Sequence, residues 1–244
     1  MQNTLNNTFW IGGKHAVLAY LQSNIPEIIE LKTSHQNIFE NLKKKIKCKI
    51  VKTSEINKLF KDTNLNHQGY ALLIKKKHAP DFKNLLKNNK LQNKILILED
   101  IYDPGNLGAI VRNAVAFNFV DIIIKKNQKI LDSPFFFKSA VGTVSKSRIV
   151  FTSNISSTIL SLKKNGYWIY GSSLKKSKPL TGIDFNQDKY VILFGSEGQG
   201  LKEKTLGKCD ELFNIKMENN VESLNVSSSV AITLHHLKKK DPLK

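Results

Sequence analysis

Two residue types that often carry a protein's chemistry are scarce in this chain. Of its 38 basic side chains only two are arginine, Arg112 and Arg148, and the other 36 are lysine. The two cysteines, Cys48 and Cys209, lie far apart with no CxxC spacing. They neither frame a disulfide scaffold nor supply a zinc site, so a reducing cytosol is the expected compartment. No apolar run approaches the ~18–20 residues of a membrane span, and the polar start MQNTLNNTFW lacks a secretory core, so no membrane partner is expected.

What the chain has in excess is lysine. Against 20 acidic residues the basic ones leave a formal net charge of +18, and 24 asparagines accompany them. A Lys/Asn-rich, Arg-poor composition is what codon bias in an AT-rich genome produces, which discounts the magnitude of the charge. Even so, a charge of this size favours phosphate-rich partners, because each neutralised phosphate releases counterions. Lysine that merely solvates the surface is the competing reading. The 244 residues, 41% of them hydrophobic, suffice for one large domain or two modest ones with a real core.

The charge is uneven, +11 over residues 1–94 and +7 over 95–244. The first part reads as a small α/β unit over residues 1–75. GlyLys at 13–14 opens the amphipathic stretch HAVLAYLQS, which Pro26 follows. IIEL, KCKIV and GYALLI read as strands, and HQNIFENLKKKI and SEINKLF as helices capped by Ser34 and Ser54. Residues 76–93, polar and broken by Pro80, read as a linker with one helical turn or two. From Lys94 the texture changes. KILILED, VDIIIK, SRIVFT, YWIYGS, KYVILFG and ELFNIKM are near-continuous apolar runs, most of them separated by helix-length segments. That pattern predicts a mostly parallel sheet buried on both faces. The last element sets Val226, Val230 and Leu234 at helical spacing.

In open parallel sheets ligands sit beyond the carboxyl ends of the strands, and three strand exits stand out. In ILEDIYDPGNLGAIVR, Asn106 reads either as a helix N-cap or as a site residue, and Arg112 follows nearly two turns later. An arginine here, in a chain with so few, suggests a need for its planar fork. VILFGSEGQGL ends a buried strand on three glycines and Glu197, and its order is not the GxGxxG of a dinucleotide site. In IKMENNVESLNVSSS, Ser223 and Asn225 either cap the last helix or place polar groups at its N-terminus.

Taken together and in this order, NLGAIVR, GSEGQGL and IKM…SLNVS resemble the SpoU/TrmH family of the SPOUT superfamily, the RNA ribose 2′-O-methyltransferases. FWIGGKHAVLAYL and NHQGYALL further resemble the N-terminal RNA-binding domain of one branch, the bacterial 23S rRNA guanosine-2′-O-methyltransferases. The resemblance implies an α/β fold: a small RNA-binding domain (1–75), a linker (76–93), and a mostly parallel-sheet methyltransferase domain (94–244) with a C-terminal trefoil knot. It implies S-adenosylmethionine as methyl donor, held at Gly195, Ile215 and Leu224, and no metal, because the donor is already activated by its positive sulfur. The catalytic group would comprise Asn106, Arg112, Glu197, Ser223 and Asn225. The partners implied are large-subunit rRNA and a second copy of the chain. Methylation of tRNA or of another rRNA nucleotide, or a catalytically inactive ribosome-assembly RNA-binding protein, are the competing functions. Lys216, where relatives commonly carry Pro, and the acids of ENNVE (218–222) depart from the pattern. His67 reads as an RNA contact or a capped loop histidine, and KKKIKCK (43–49) as a phosphate strip or a solvated helix face.

Overall fold

The computed structural model describes residues 8–22, 28–37, 46–75, 79–126, 128–218 and 223–240. Pro26, most of HQNIFENLKKKI, residues 43–45 and residues 219–222 lie outside them. The first sheet contains β1 (Thr8–Gly12), β2 (Ile28–Thr33), β3 (Lys47–Ile50) and β4 (Tyr70–Lys75) in the order β1-β4-β2-β3. β4 runs antiparallel to β1 and β2, while β2 and β3 are parallel. β1 is an addition to the expected strands. The polar first residues conceal it, but TFWIG pairs with β4 from Thr8↔Lys75 to Gly12↔Ala71. Two helices pack on this sheet, α1 (Lys14–Gln22) and α2 (Thr53–Leu59). α2 starts one residue before Ser54, behind a Lys52 cap that makes no side-chain bond, so Ser54 lies within the helix instead of capping it.

The second sheet holds β5 (Lys94–Leu98), β6 (Asp121–Lys125), β7 (Arg148–Thr152), β8 (Trp168–Ser172), β9 (Lys178–Pro179), β10 (Tyr190–Phe194) and β11 (Glu211–Asn214). Its order is β7-β6-β5-β10-β8-β11-β9, and every pairing is parallel. All six expected runs form strands, and the two-residue β9 is too short to leave a pattern. The helices interleaved with these strands are α3 (Phe82–Lys87), α4 (Pro104–Ala116), α5 (Gln128–Leu131), α6 (Pro134–Ala140), α7 (Ile155–Lys164), α8 (Glu203–Leu206) and α9 (Val226–Lys240). No helix among the described residues is long and apolar enough to cross a membrane.

The continuous apolar runs are explained by two cores on opposite faces of this sheet. Leu96, Leu98, Ile122, Ile124, Ile192 and Phe194 point one way, into a core shared with α4, α6 and α9. Their alternates Ile95, Ile97, Ile123, Val150, Val191 and Leu193 point the other way, to α3 and α7. At period two, the middle of each central strand must therefore be apolar at successive positions. Phe82 and Leu85, from the stretch read as a linker, bury in the second core. The first core does not stop at the large sheet. Ile11, Val17, Tyr20, Leu31 and Leu72 of the small sheet and α1 belong to it, with Phe9 packing 4.9 Å from Phe137 of α6 between ring centres. Along α9, Val226, Val230 and Leu234 are buried at the expected spacing.

At the amino ends of the strands lies Asp121, with no solvent exposure. Arg148 donates to it through Nε at 2.6 Å and Nη2 at 2.7 Å, and the Gln92 amide adds a bond of 2.7 Å. Arg148 also reaches the Lys90 carbonyl at 2.5 Å. The hydrogen bonds that Arg148 donates to Asp121 raise the Arg148 pKa further, against burial. One of the two arginines thus spends its fork on a buried carboxylate that joins β6, β7 and the approach to β5. Removing it strands that charge, which costs about 3 kcal/mol or more. Arg148→Ala is expected to lose that much in urea unfolding, whereas Arg112→Ala, at an exposed helix position, stays within about 0.5 kcal/mol of the parent.

Candidate active site

Three strand exits meet at the carboxyl edge of the large sheet. β5 and β10 are adjacent at its centre, paired from Lys94↔Tyr190 to Leu98↔Phe194, and the Glu99 amide continues the ladder to the Phe194 carbonyl at 2.9 Å. The chain therefore leaves both strands at one place. After β5 it turns into α4, which begins at Pro104 rather than near Asn106. Asp103 is the N-cap, its Oδ1 accepting from the Asn106 amide at 2.6 Å, and proline occupies the first turn where it is favoured. Of the two readings of Asn106, the N-cap therefore falls away, because Asp103 takes that place. The physical consequence is that the Asn106 side chain is free for other partners.

Its partners come from the other two exits. Asn106 Nδ2 donates to Glu197 Oε1 at 3.0 Å, while Asn106 Oδ1 accepts from Asn225 Nδ2 at 3.0 Å. Asn225 Nδ2 donates to the same Glu197 oxygen at 2.7 Å, and the Val226 amide reaches it at 3.3 Å. Asn225 Oδ1 accepts from the Ser227 amide at 2.9 Å and the Ser227 hydroxyl at 2.5 Å. Asn225 is thus both the cap of α9 and a bridge to the other loops. Further along α4, Asn113 donates to the Ser227 carbonyl at 3.1 Å, so the stripe of α4 that starts at Asn106 lies against α9. On the opposite side of α4, a Cβ at Gly108 would run into the Phe136 carbonyl, and only glycine allows α6 to approach so closely.

The glycine-rich loop after β10 folds back on itself. Ser196 and Gly200 pair as an isolated bridge, the Gly200 amide donating to the Ser196 carbonyl at 2.9 Å. A Cβ at Gly195 would collide with the Gly200 carbonyl and the Leu201 amide, whereas Cβ atoms at Gly198 and Gly200 would meet open space. Gly195 therefore closes the turn, and the outer glycines leave room above it. Two residues that the motifs did not single out hold the base of the loop. Glu99, 4% exposed, accepts from the Lys202 amide at 3.0 Å and from the buried Thr205 hydroxyl at 2.8 Å. The signal was present in ILED, where an acid ends a buried strand just as Glu197 follows VILFGS.

Of the residues expected to form the site, Asn106, Glu197 and Asn225 are joined by hydrogen bonds. Gly195 lies in the exit after β10 and Ile215 and Leu224 in the one between β11 and α9, Gly195 buried and the other two half-buried. Ser223 is exposed, two residues before Asn225. Arg112 is exposed too, and among the described residues its side chain has no hydrogen-bond or ion-pair partner. It precedes Asn113 by one residue, so it projects about 100° around α4 from the stripe that faces α9. Lys216 is exposed beside Ile215, and of ENNVE only Glu218 lies within the described residues.

With this geometry in place, comparison with known proteins decides the family. Residues 93–235 match the model of the SpoU rRNA methylase family, and residues 10–80 match that of the RNA 2′-O ribose methyltransferase substrate-binding domain. The chain belongs to the SpoU rRNA methylase family. Among its relatives is a tRNA/rRNA methyltransferase of Borreliella burgdorferi that is described as uncharacterized, 31% identical over 223 residues, covering 87% of this chain and 96% of that protein. A Staphylococcus aureus protein named as a TrmH family tRNA/rRNA methyltransferase is 31% identical over 237 residues, covering 94% and 95%. The crystal structure of an AdoMet-bound rRNA methyltransferase from Sinorhizobium meliloti shares the fold, with a TM-score of 0.76 at 20% identity over 98% of this chain and 90% of that one.

In this SpoU chain His67 proves to be a structural residue. Its Nε2 lies 2.6 Å from Asn57 Oδ1, and its Nδ1 accepts from the Gly69 amide at 3.0 Å. That pair of bonds requires a neutral imidazole with the proton on Nε2. The ring stacks on Phe60, and burial lowers its pKa below the ordinary 6.5. A histidine of depressed pKa contributes stability that is complete above 6.5 and is lost as the pH falls toward the folded value, because the unfolded chain takes up the proton first. The unfolding midpoint is expected to drop between about pH 7 and pH 5 by more in the parent than in His67→Gln, measured by thermal melts at each pH.

Proposed function

We propose that this SpoU chain transfers a methyl group from S-adenosylmethionine to the ribose 2′-hydroxyl of a guanosine in 23S, large-subunit rRNA. In this reading it works in the cytoplasm as a homodimer. Residues 1–75 dock the RNA, residues 76–93 connect, and residues 94–244 carry the reaction, their last crossover threaded as a trefoil knot. The observation that carries the reading is the single carboxylate oxygen of Glu197, which draws Asn106 and Asn225 from two other strand exits into one polar cluster. The concentration of positive charge in residues 1–94 supports the docking role.

The residues present fit the methyl donor. Gly195 sits in a turn that a Cβ would block, Gly198 and Gly200 leave open space, and Ile215 packs at the edge of the first core. Gly195, Ile215 and Leu224 would hold the donor by backbone groups and apolar contact. When bound, S-adenosylmethionine supplies a methyl group activated by a positive sulfur. The chain's own task is then to align the hydroxyl and to stabilise its oxygen as the proton leaves. Alignment alone contributes about 7–11 kcal/mol in well-oriented systems.

Glu197 fixes both asparagine amides, and Asn106 and Ser223 present polar groups to the ribose. A guanidinium is a fork of donors with no acceptor, so Arg112 is not assigned the role of proton acceptor. Arg112 instead grips the phosphate beside the target ribose and stabilises the developing alkoxide, with proton loss concerted or assisted by that phosphate. Its exposure and lack of a described partner within the chain suit a role completed at the subunit interface. Arg112→Lys keeps the charge and loses the fork. Its kcat with tritiated S-adenosylmethionine and rRNA is expected to fall about a hundredfold, with calorimetric affinity for S-adenosylmethionine within about twofold of the parent. Near-normal turnover would contradict this role, and absence of S-adenosylmethionine binding by the parent would contradict the function as a whole.

A further inference from the structure

Tyr102 lies on the β5 exit, between the β5 strand and the Asp103 cap, and the motifs do not use it. It is 68% exposed, the most open of the large hydrophobic side chains among the described residues. The other exposed rings stand elsewhere. Trp168 starts β8, hence at the amino edge of an all-parallel sheet, and Phe135 is in the first turn of α6. Tyr102 is the exposed ring at the edge where Asn106, Glu197 and Asn225 meet.

Charged groups from two strand exits lie beside it. The Asp100 carboxylate beside it raises the phenol's pKa. Asp100 in turn pairs with Lys202 of the glycine-rich exit. Burial pushes the Asp100 carboxyl up, but the bonds from Lys202 and Tyr102 and the charge of Lys125 outweigh it and keep it ionised. Asp100 adopts φ 57°, a left-handed conformation that aspartate tolerates at some cost and that turns its side chain out of the strand direction. A carboxylate in that conformation, paired with a lysine from a second loop, stands beside an aromatic ring most of whose area is open. Lys125, exposed at the end of β6, adds positive charge beside it.

An exposed aromatic ring with cations beside it is the arrangement that single-stranded nucleic acid uses, bases stacking on the ring and phosphates meeting the lysines. We propose that Tyr102 is a base-stacking, substrate-positioning residue: a nucleobase of the RNA, at or next to the target ribose, stacks on its ring beside the Asp100–Lys202 ion pair. This rests on the RNA-methyltransferase reading of the same site and adds to it a specific contact with the substrate.

The test is steady-state methylation of rRNA purified from a strain lacking the protein, with tritiated S-adenosylmethionine, in parent, Tyr102→Ala, Tyr102→Leu, Tyr102→Phe and Tyr102→Trp. The Ala and Leu variants are expected to raise the KM for RNA about tenfold or more, while Phe and Trp stay within about threefold, because stacking needs a π-face and not a hydroxyl. Calorimetric affinity for S-adenosylmethionine and the unfolding midpoint are expected to match the parent in all four. An Ala or Leu variant with the parent's KM overturns the proposal, and so does a Phe variant as impaired as Ala. Loss of S-adenosylmethionine affinity in place of RNA affinity overturns it too, by assigning the ring to the cofactor. A parent enzyme that methylates no RNA would instead remove the underlying functional reading, an outcome distinct from each of these.

Discussion

One carboxylate oxygen organises the carboxyl edge of the large sheet. Glu197 Oε1 receives two side-chain amides and one backbone amide, and each donor comes from a different strand exit or from the start of the last helix. Hydrogen bonds to a charged acceptor contribute about 1.5–3 kcal/mol each, toward the lower end where water competes as it does here. Their value lies in geometry more than in stability. They fix the side chains of residues 106, 197 and 225, which are far apart in sequence, in one constellation. An all-parallel sheet is what makes that meeting possible, because it delivers every strand exit to the same edge.

The surrounding structure keeps those exits in register. Glu99 ties the β5 exit to the loop after β10, and Asp103 caps α4 so that Asn106 is released from capping. Gly195 lets the loop close on itself, and Gly108 lets α6 press against α4 from behind. At the opposite edge, Arg148 and Asp121 hold the amino ends together. The two arginines therefore divide their work by place. One is committed to a buried carboxylate, and the other stays exposed on the helix that carries Asn106.

Much of this was legible in the sequence. The unbroken apolar runs dictate strands buried on both faces, and the two cores show why the central strands are apolar at successive positions. The spacing of Val226, Val230 and Leu234 gave the buried stripe of α9. Three glycine- or asparagine-bearing exits marked the edge where the site forms. What was not legible depends on long-range pairing. β1 is polar at its start and is a strand because β4 pairs with it. β9 is too short to carry a period. The cap of α4 is Asp103 and not Asn106, a shift of three residues that either side chain could have satisfied locally. The choice falls to Asp103 because Asn106 has better partners 91 and 119 residues away. His67 was ambiguous for the same reason, since its partner Asn57 is reached only once α2 has packed.

The central claim is that this edge methylates the ribose of large-subunit rRNA and that Glu197 organises it. Ribose-methylation mapping of total RNA tests this most directly, comparing a strain lacking the protein with the same strain carrying either the parent gene or Glu197→Ala. The account predicts one 2′-O-methyl group absent from 23S rRNA, restored by the parent and not by Glu197→Ala. An unchanged rRNA map, a lost methyl group confined to tRNA, or full restoration by Glu197→Ala would contradict it.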